Sequence, residues 1–463
     1  MPSLATIPPD LAKRGAPPGP RGRWLMGNLL EFRRDVLGSL ERCRDEHGPL
    51  VSVRLGNRRL VLISEPAAIE EVLVTKNHDF RKHFGVRLLE PVLGNGLLLS
   101  EGDTWLRQRR LMQPAFARRM TEAFALVVAG QTERLATAWQ LDPQRDLYRD
   151  MTRLTAHVAC EAFLGVDVPD EQVKLTHALE CIHADYEQRF KSFVEWPLWL
   201  PMPANLRLHR AIRELDTFIG RIIAARTAGS CDGADALSLL MTARTTGTGM
   251  SDRQLRDEVM TLLLAGRDTT ANTLSWCWFL LCQHPGAMHE LRREVLAVCG
   301  RGLPGLKEVP DLRYARCVVH EAMRLYPPVW AFGREAVRDT SVAGYLIRRG
   351  TSVLLCQWLV HRDQRWFDRP AEFMPERWNA GDLSALPRYA YFPFGGGPRV
   401  CIGKDLALVE AVCILSSLAG RFQITLNALS KVVPWPTVTL RPRHGIRAVV
   451  EAVAFNDILP AVP

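Results

Sequence analysis

The sequence predicts a mainly α-helical fold with small β-sheets, an α+β arrangement, and three observations carry that expectation. A helical pattern opens at Ser251, with Gln254 three residues on as a capping-box partner, and runs to about Gln283, before His284-Pro285. That is roughly 33 residues, or about 50 Å at 1.5 Å each, enough to cross the whole molecule. A second apolar series at helical spacing, Ala407, Leu408, Val412, Leu415 and Leu418, follows a glycine-rich loop. The strand-like runs are short. Leu50 to Leu55 alternates, Gly56-Asn57 supplies a turn and Leu60 to Ile63 resumes, which reads as a hairpin.

At 463 residues the chain exceeds the usual single-core size, so two domains or one large helical domain is expected. With 47% hydrophobic and 24% charged residues there is material for a large core. The net charge of +9 raises the question of nucleic acid, but the arginines are scattered and no basic run is interleaved with aromatics. Eleven cysteines, odd in number and irregularly spaced, argue against a disulfide framework and for a reducing compartment, the cytoplasm. Residues 1–23 are proline-rich and hold no apolar stretch of signal-peptide or membrane-span length.

Taken in order, Ser64 and Pro66 open a short helix that ends near Thr75. His83 to Ser100 lacks clean periodicity and reads as a long loop. Asp103 is a candidate cap for a helix whose Trp105 and Arg109 share one face. Thr121 to Arg226 is helical in pattern, broken at 196–203, where three prolines cannot continue a helix. Gly229 to Gly249 reads as a linking loop.

Midway along the long helix stand Ala265-Gly266-Arg267-Asp268-Thr269-Thr270. Gly266 costs roughly 1 kcal/mol relative to Ala, so a flat ligand pressed against the helix is one expected compensation. Thr269 can bond back to the carbonyl of Ala265 and open the helix ladder locally, leaving a groove. A further helix from Tyr314 to Tyr326 carries Glu321 and Arg324, which by spacing alone form an ordinary surface pair worth roughly 0.3 kcal/mol. Gly344 and Gly350 separate short β segments, and 424–450 is strand-like with Pro434-Trp435-Pro436 in a turn.

The stretch from Phe392 to Gly403 holds three consecutive glycines and a proline, with Cys401 at its far end, just before the second helix. Helix-terminal amides near the sulfur favour thiolate. A phosphate loop would end in Gly-Lys-Ser/Thr and a zinc site would have a second ligand within a few residues; neither is present. A single soft ligand on a loop suits heme iron.

Phe394, Gly397, Arg399, Cys401 and Gly403 match the heme-binding loop of the cytochrome P-450 heme-thiolate monooxygenases, and four further motifs in the right order extend this resemblance over nearly the whole chain. It implies one heme domain over 24–463 after the proline-rich segment, with b-type heme between the long helix and the Cys401 helix. Cys401 is then the iron ligand, and Trp105, Arg109, Arg334 and Arg399 meet the propionates. Asp268 and Thr269 become the acid–alcohol pair: Asp268 relays protons and Thr269 positions the oxygen species and its water. Glu321, Arg324 and Arg377 of Pro375-Glu376-Arg377 become a structural signature. The 83–100 loop covers the substrate and the 196–203 break becomes a lid.

Phe84, Val86, Leu97, Ala265, Val329, Trp330, Phe332 and Trp435 are the pocket candidates and indicate a lipophilic substrate. The resemblance implies dioxygen insertion with electrons from a ferredoxin or flavodoxin and its reductase, docking on Arg107, Arg110, Arg118, Arg119, Arg399 and Lys404. It also implies a soluble bacterial type without transmembrane anchor, and a monomer is expected. A heme-thiolate isomerase or peroxygenase, or a sensor without turnover, is the alternative; relatives that do not oxygenate commonly lack the acid–alcohol pair.

Overall fold

The computed structural model describes residues 15–167, 172–190, 197–228, 235–245, 250–300, 302–379, 385–429 and 431–453. Its axis is the helix Asp252–Gln283, N-capped by Ser251, whose hydroxyl accepts from Gln254 N at 3.2 Å. This central helix packs along Leu147–Leu164 on one side and against Arg313–Leu325 and Lys404–Ala419, the cysteine helix, on others. Arg118–Leu141 backs the cysteine helix. Two long helices, Gln172–Phe190 and Pro203–Ala228, pair with each other and flank the break read above as a lid, and Pro203 takes the first turn of the second.

A five-stranded sheet lies beside this helical mass in the order 50–55, 58–63, 352–355, 332–336, 80–82. The predicted hairpin is its first pair, in register Leu50↔Ile63, and Gly56 turns it with φ 63°. Both faces of this hairpin are covered. Val51, Val53, Leu60 and Leu62 enter one apolar cluster with Phe32, Trp330 and Cys356, while Leu50, Val61 and Ile63 enter another with Ile69, Tyr389 and Phe392. Alternation thus sorts one apolar run into two cores, the second of which supports the Cys401 loop. A smaller sheet joins Gln144–Asp146, Arg447–Ala452 and Phe422–Leu426.

Several expectations change. The 83–100 segment contains two single-turn helices, Phe84–Arg87 and Glu90–Leu93, the first capped by His83 Nδ1 accepting from Gly85 N at 3.1 Å. Asp103 does not cap its helix: Gly102–Met112 begins after Glu101, whose carboxylate bonds Lys82 N and Arg399 instead. Ser64 is no cap either, since its hydroxyl donates to Pro49 O and the helix Pro66–Glu70 starts after Glu65 and widens into a π turn over Glu71–Thr75. The glycine-rich 229–249 stretch contains the helix Ala236–Thr245, started by Asp235 accepting from Ser238 N; 229–234 and 246–249 lie outside the described residues, as does Trp196. Pro434–Pro436 is a strand paired with Leu440–Pro442 rather than a turn.

Glu321 and Arg324 are fully buried, not a surface pair. Glu321 accepts from Arg324 Nη2 (2.8 Å), Arg377 Nε (3.0 Å), Trp378 Nε1 (2.8 Å) and Met374 N (3.0 Å). Arg324 donates in turn to the carbonyls of His361, Pro370 and Glu372. Helical spacing brought the pair together, but only the segment 361–378 folding over it removed it from water.

Candidate active site

The Cys401 loop is shaped by its neighbours. Gly395 and Gly397 take φ of 71° and 65°. A Cβ on Gly397 would sit 2.0 Å from the Leu73 carbonyl, and one on Gly396 would strike the Tyr389 ring at 2.3 Å. These two glycines therefore serve the seating of the loop on the sheet side. Tyr389 Oη accepts from Gly397 N at 3.1 Å, and Cys401 N donates to Phe394 O at 3.0 Å.

The ten described cysteines are all free, and Cys401 is the exposed one among them. Its sulfur is accessible yet deep, the condition of an internal cavity wall. Burial pushes the thiol above its ordinary range, with the Gly403 amide and the Arg109 guanidinium opposing. The Gly403 amide favours the thiolate, as expected of a helix-terminal amide, and burial outweighs it.

On the central helix, Ala265 is exposed although its neighbours on either side are largely buried, so it too faces internal space. Thr269 Oγ1 donates to Ala265 O at 2.9 Å, as expected. The helix nevertheless stays continuous there, so the open face comes from the small Ala265 side chain rather than from a broken ladder. Gly266 serves another purpose than a flat ligand: a Cβ would lie 3.1 Å from Phe163 of the neighbouring helix. Thr270 turns away and donates to the buried Glu410 of the cysteine helix, whose carboxyl burial raises to about 8.

Asp268 is buried and paired. His183 Nε2, on the first lid helix, lies 2.9 Å from its Oδ2, and Arg267 Nη1 lies 3.7 Å from Oδ1. Burial pushes this carboxyl up, but His183, Arg267 and Arg441 together outweigh it and hold it at about 2.

A cationic cluster gathers where the sheet meets the loop. Lys82 and Arg334 stand directly opposite each other on paired strands, an arrangement that like charges disfavour. Arg334 is buried with the carbonyl of Gly333 as its hydrogen-bond acceptor, and burial followed by Arg399 lowers it to about 10. Lys82 is pulled well below its ordinary range by burial, then by Arg334 and Arg399. Arg399 bonds Glu101, sits 4.6 Å over the Trp105 ring and leaves Nη1 buried without a partner. Arg109 Nη1 donates to Val400 O at 2.7 Å. Lys82 and His183 were not singled out from sequence, since no periodicity or motif marks either.

Among pocket candidates, Phe84 stacks on Phe190 of the lid at 6.2 Å, Val86 and Val329 are half-buried, and Phe332 stands edge-on to Phe392 beside Gly395. Leu97 is buried, its amide donating to Glu258 at 2.9 Å. Trp435 is fixed between Glu187 and the Arg443 guanidinium. Trp330 is a core residue rather than a pocket residue: it lies in the cluster with Val51 and Leu60 and donates to Thr437 O. A cleft of about 730 Å³ opens between the 87–94 turns, the lid and the start of the central helix.

The family model of cytochrome P450 matches residues 17–446. The chain belongs to the cytochrome P450 family. It is 36% identical over 425 residues to cyclooctatin synthase of Streptomyces melanosporofaciens, covering 91% of this chain and 92% of the relative. To cyclooctat-9-en-7-ol 5-monooxygenase of the same organism it is 31% identical, covering 89% and 92%. Putative cytochrome P450 132 of Mycobacterium tuberculosis is 30% identical, over 86% and 88%.

This P450 is accordingly a monooxygenase that uses heme iron, dioxygen and a redox partner. No helix among the described residues is long and apolar enough to cross a membrane. Heme carries two propionates, and the residues present fit it: Lys82, Arg334 and Arg399 converge with Glu101 as their nearby carboxylate, and Arg399 Nη1 is orphaned.

Proposed function

We propose that this P450 oxygenates a hydrocarbon-rich, unsaturated or hydroxylated substrate, using b-type heme whose iron Cys401 Sγ would hold, within one heme domain over 24–463. The single observation that carries the ligand assignment is that Cys401, among the described cysteines, is the one exposed, at the end of a loop seated beside the buried Arg334 and the half-buried Lys82 and Arg399. The substrate class rests on the relatives, one of whose names specifies an alkenol oxygenated at position 5, and on apolar candidates Phe84, Val86, Leu97, Ala265, Val329 and Phe332. Titrating the heme-loaded protein with a series of cyclic alkenols, terpenes and fatty acids tests it. A shift of the Soret band with the alkenols, and one labelled oxygen atom from dioxygen in the product, is expected; a response to fatty acids alone would redirect the class.

Bound heme supplies a redox iron at which dioxygen is reduced. The protein's part is electrostatic and positional. Lys82, Arg109, Arg334 and Arg399 would offset the propionate charges, and the Trp105 indole N–H would add a hydrogen-bond donor. Thr269, its hydroxyl hydrogen engaged by Ala265 O, keeps its lone pairs free to hold a water over the Ala265 face. Asp268 exchanges a proton with His183 at the Oδ2–Nε2 contact and so feeds that water.

The electron donor is read as an acidic ferredoxin or flavodoxin that meets the exposed Arg107, Arg110 and Lys404. Arg399 leaves this set because it is half-buried and bound to Glu101, while the side chains of Arg118 and Arg119 lie outside the described residues. Reduction rates that fall with salt support the reading, and rates indifferent to salt would remove it. A cytoplasmic setting and a monomer complete the proposal.

A further inference from the structure

Residues 23–27 form a closed turn. Arg23 N donates to Gly27 O at 2.9 Å, and Gly27 N returns a bond to Arg23 O at 2.8 Å. The turn is fastened to the end of the first hairpin: Gly56 N donates to Met26 O (3.0 Å), Asn28 N donates to Arg54 O (2.7 Å), and the Arg54 guanidinium bonds the carbonyls of Arg23 and Trp24. Gly27, at φ 58°, leaves no room for a side chain, since a Cβ would lie 2.0 Å from the Arg54 carbonyl.

What this rigid turn presents is apolar. Trp24 is 86% exposed, Leu25 71% and Met26 37%, and Leu30 on the following helix Leu29–Arg34 is 37% exposed. Leu29 and Phe32 of that same helix are buried, so an inward place existed and was filled by others. A backbone-held tryptophan and leucine facing water mark a contact surface.

The surrounding charge has one dominant sign. Arg21, Arg23, Arg33, Arg34 and Arg59 are exposed and none makes an ion pair among the described residues, and Arg54 and Arg59 are cross-strand neighbours. The acids of the same stretch are Glu31 and Asp35. Four exposed side chains make a small patch beside the roughly 20–30 residues and roughly 800 Å² per partner of a stable protein interface. An apolar tip bearing tryptophan and ringed by arginine matches the chemistry of an anionic lipid surface, whose headgroup region accepts the indole and whose phosphates pair with guanidinium.

We propose that the Trp24–Met26 turn docks this P450 on anionic bilayers, with Trp24, Leu25, Met26 and Leu30 entering the interface and the arginines on lipid phosphates. The docked turn adjoins the substrate side. Arg58, at the same hairpin end, holds its guanidinium 3.7 Å over Phe84, which stacks on Phe190 of the lid. A lipophilic substrate dissolved in the bilayer would then be delivered next to the loop that covers the pocket. The docking itself does not depend on which substrate is correct.

The test is co-sedimentation of the full-length, heme-loaded protein with vesicles of phosphatidylcholine, alone or mixed equally with phosphatidylglycerol. Binding to the mixed vesicles at low ionic strength, at least roughly tenfold weaker on phosphatidylcholine alone and lost in high salt, is expected. The pair Trp24→Ser with Leu25→Ser, and separately Arg21→Glu with Arg23→Glu, should each reduce binding about tenfold, whereas Trp199→Ser, on the lid segment, should not. These side chains are exposed, so the carbon monoxide spectrum should be retained as a folding control. Absence of vesicle binding, equal binding by the Trp24/Leu25 variant, or an effect of that variant on self-association instead of on vesicles would each overturn the proposal.

Discussion

His183 Nε2 on the helix Gln172–Phe190 and Asp268 Oδ2 on the central helix stand 2.9 Å apart, so the acid proposed for the proton relay is tied to the first of the two paired long helices. Burial alone would raise the Asp268 carboxyl; its partners hold it at about 2 instead of 3.8. The Asp268 carboxylate therefore contributes stability above about pH 4 that is lost as pH falls through about 2, on the order of 2 kcal/mol. His183→Asn should move the Asp268 titration upward. Difference infrared spectra of its carboxyl C=O band, referenced to a variant that also carries Asp268→Asn, follow that titration, and a midpoint unchanged from the parent protein would refute the coupling.

The sulfur assignment has a direct spectroscopic check. Cys401→Ala should abolish the thiolate-type carbon monoxide difference spectrum, because the other described cysteines are buried or half-buried and none ends a comparable loop. Survival of that spectrum in Cys401→Ala, with its loss on removing another cysteine, would reassign the ligand.

Thr269 and Thr270 differ in what they touch. Thr269 Oγ1 bonds Ala265 O on the open face, whereas Thr270 is buried against Glu410. Thr269→Ala should keep consuming reductant and dioxygen but release several-fold more peroxide per product, while Asp268→Asn slows turnover itself. Equal coupling in Thr269→Ala and the parent enzyme would exclude the relay.

Glu321 is fully buried and accepts from Arg324, Arg377, Trp378 and Met374 N. Glu321→Ala leaves two guanidinium groups without their anion and should cost about 3–5 kcal/mol, read as a lower urea midpoint or failure to retain heme. A loss under 1 kcal/mol would mean that the network contributes little.

Glu410 supplies a pH dependence of the opposite sign. Its carboxyl is raised from 4.5 to about 8 by burial, so the unfolded chain ionises first and stability falls as pH rises from about 4.5 to 8. At roughly 1.4 kcal/mol per pH unit the span amounts to a few kcal/mol. Glu410→Gln, which keeps an acceptor for Thr270, should flatten that decline in urea-unfolding curves taken across the range, and parallel curves for the two proteins would contradict the assignment.

Much of the site was legible because its signals are local. A capping serine, a back-bonding threonine four residues from its carbonyl and a glycine-rich loop ahead of an apolar helix are encoded within a few residues, and Ser251, Thr269 and the Phe392–Gly403 loop are found in those conformations. Local readings failed where a neighbour from far along the chain intervened. Asp103 lost the cap position because the helix begins after Glu101, and the Glu101 carboxylate is committed to Lys82 and Arg399. Gly266 answers to Phe163.

Pattern and spacing alone thus identified the cysteine loop, the long helix and the hairpin, since hydrogen bonding within a segment and the period of its apolar residues depend on adjacent residues only. The chemistry of the site was decided by contacts across the chain. Lys82 faces Arg334 through strand pairing, His183 meets Asp268 through packing of the lid on the central helix, and Glu321 with Arg324 leaves water only when 361–378 closes over them. Burial and opposing charge set whether each of these groups is ionised, and both are properties of the assembled interior, where a partner contributed from a distant segment outweighs any preference written into the local sequence.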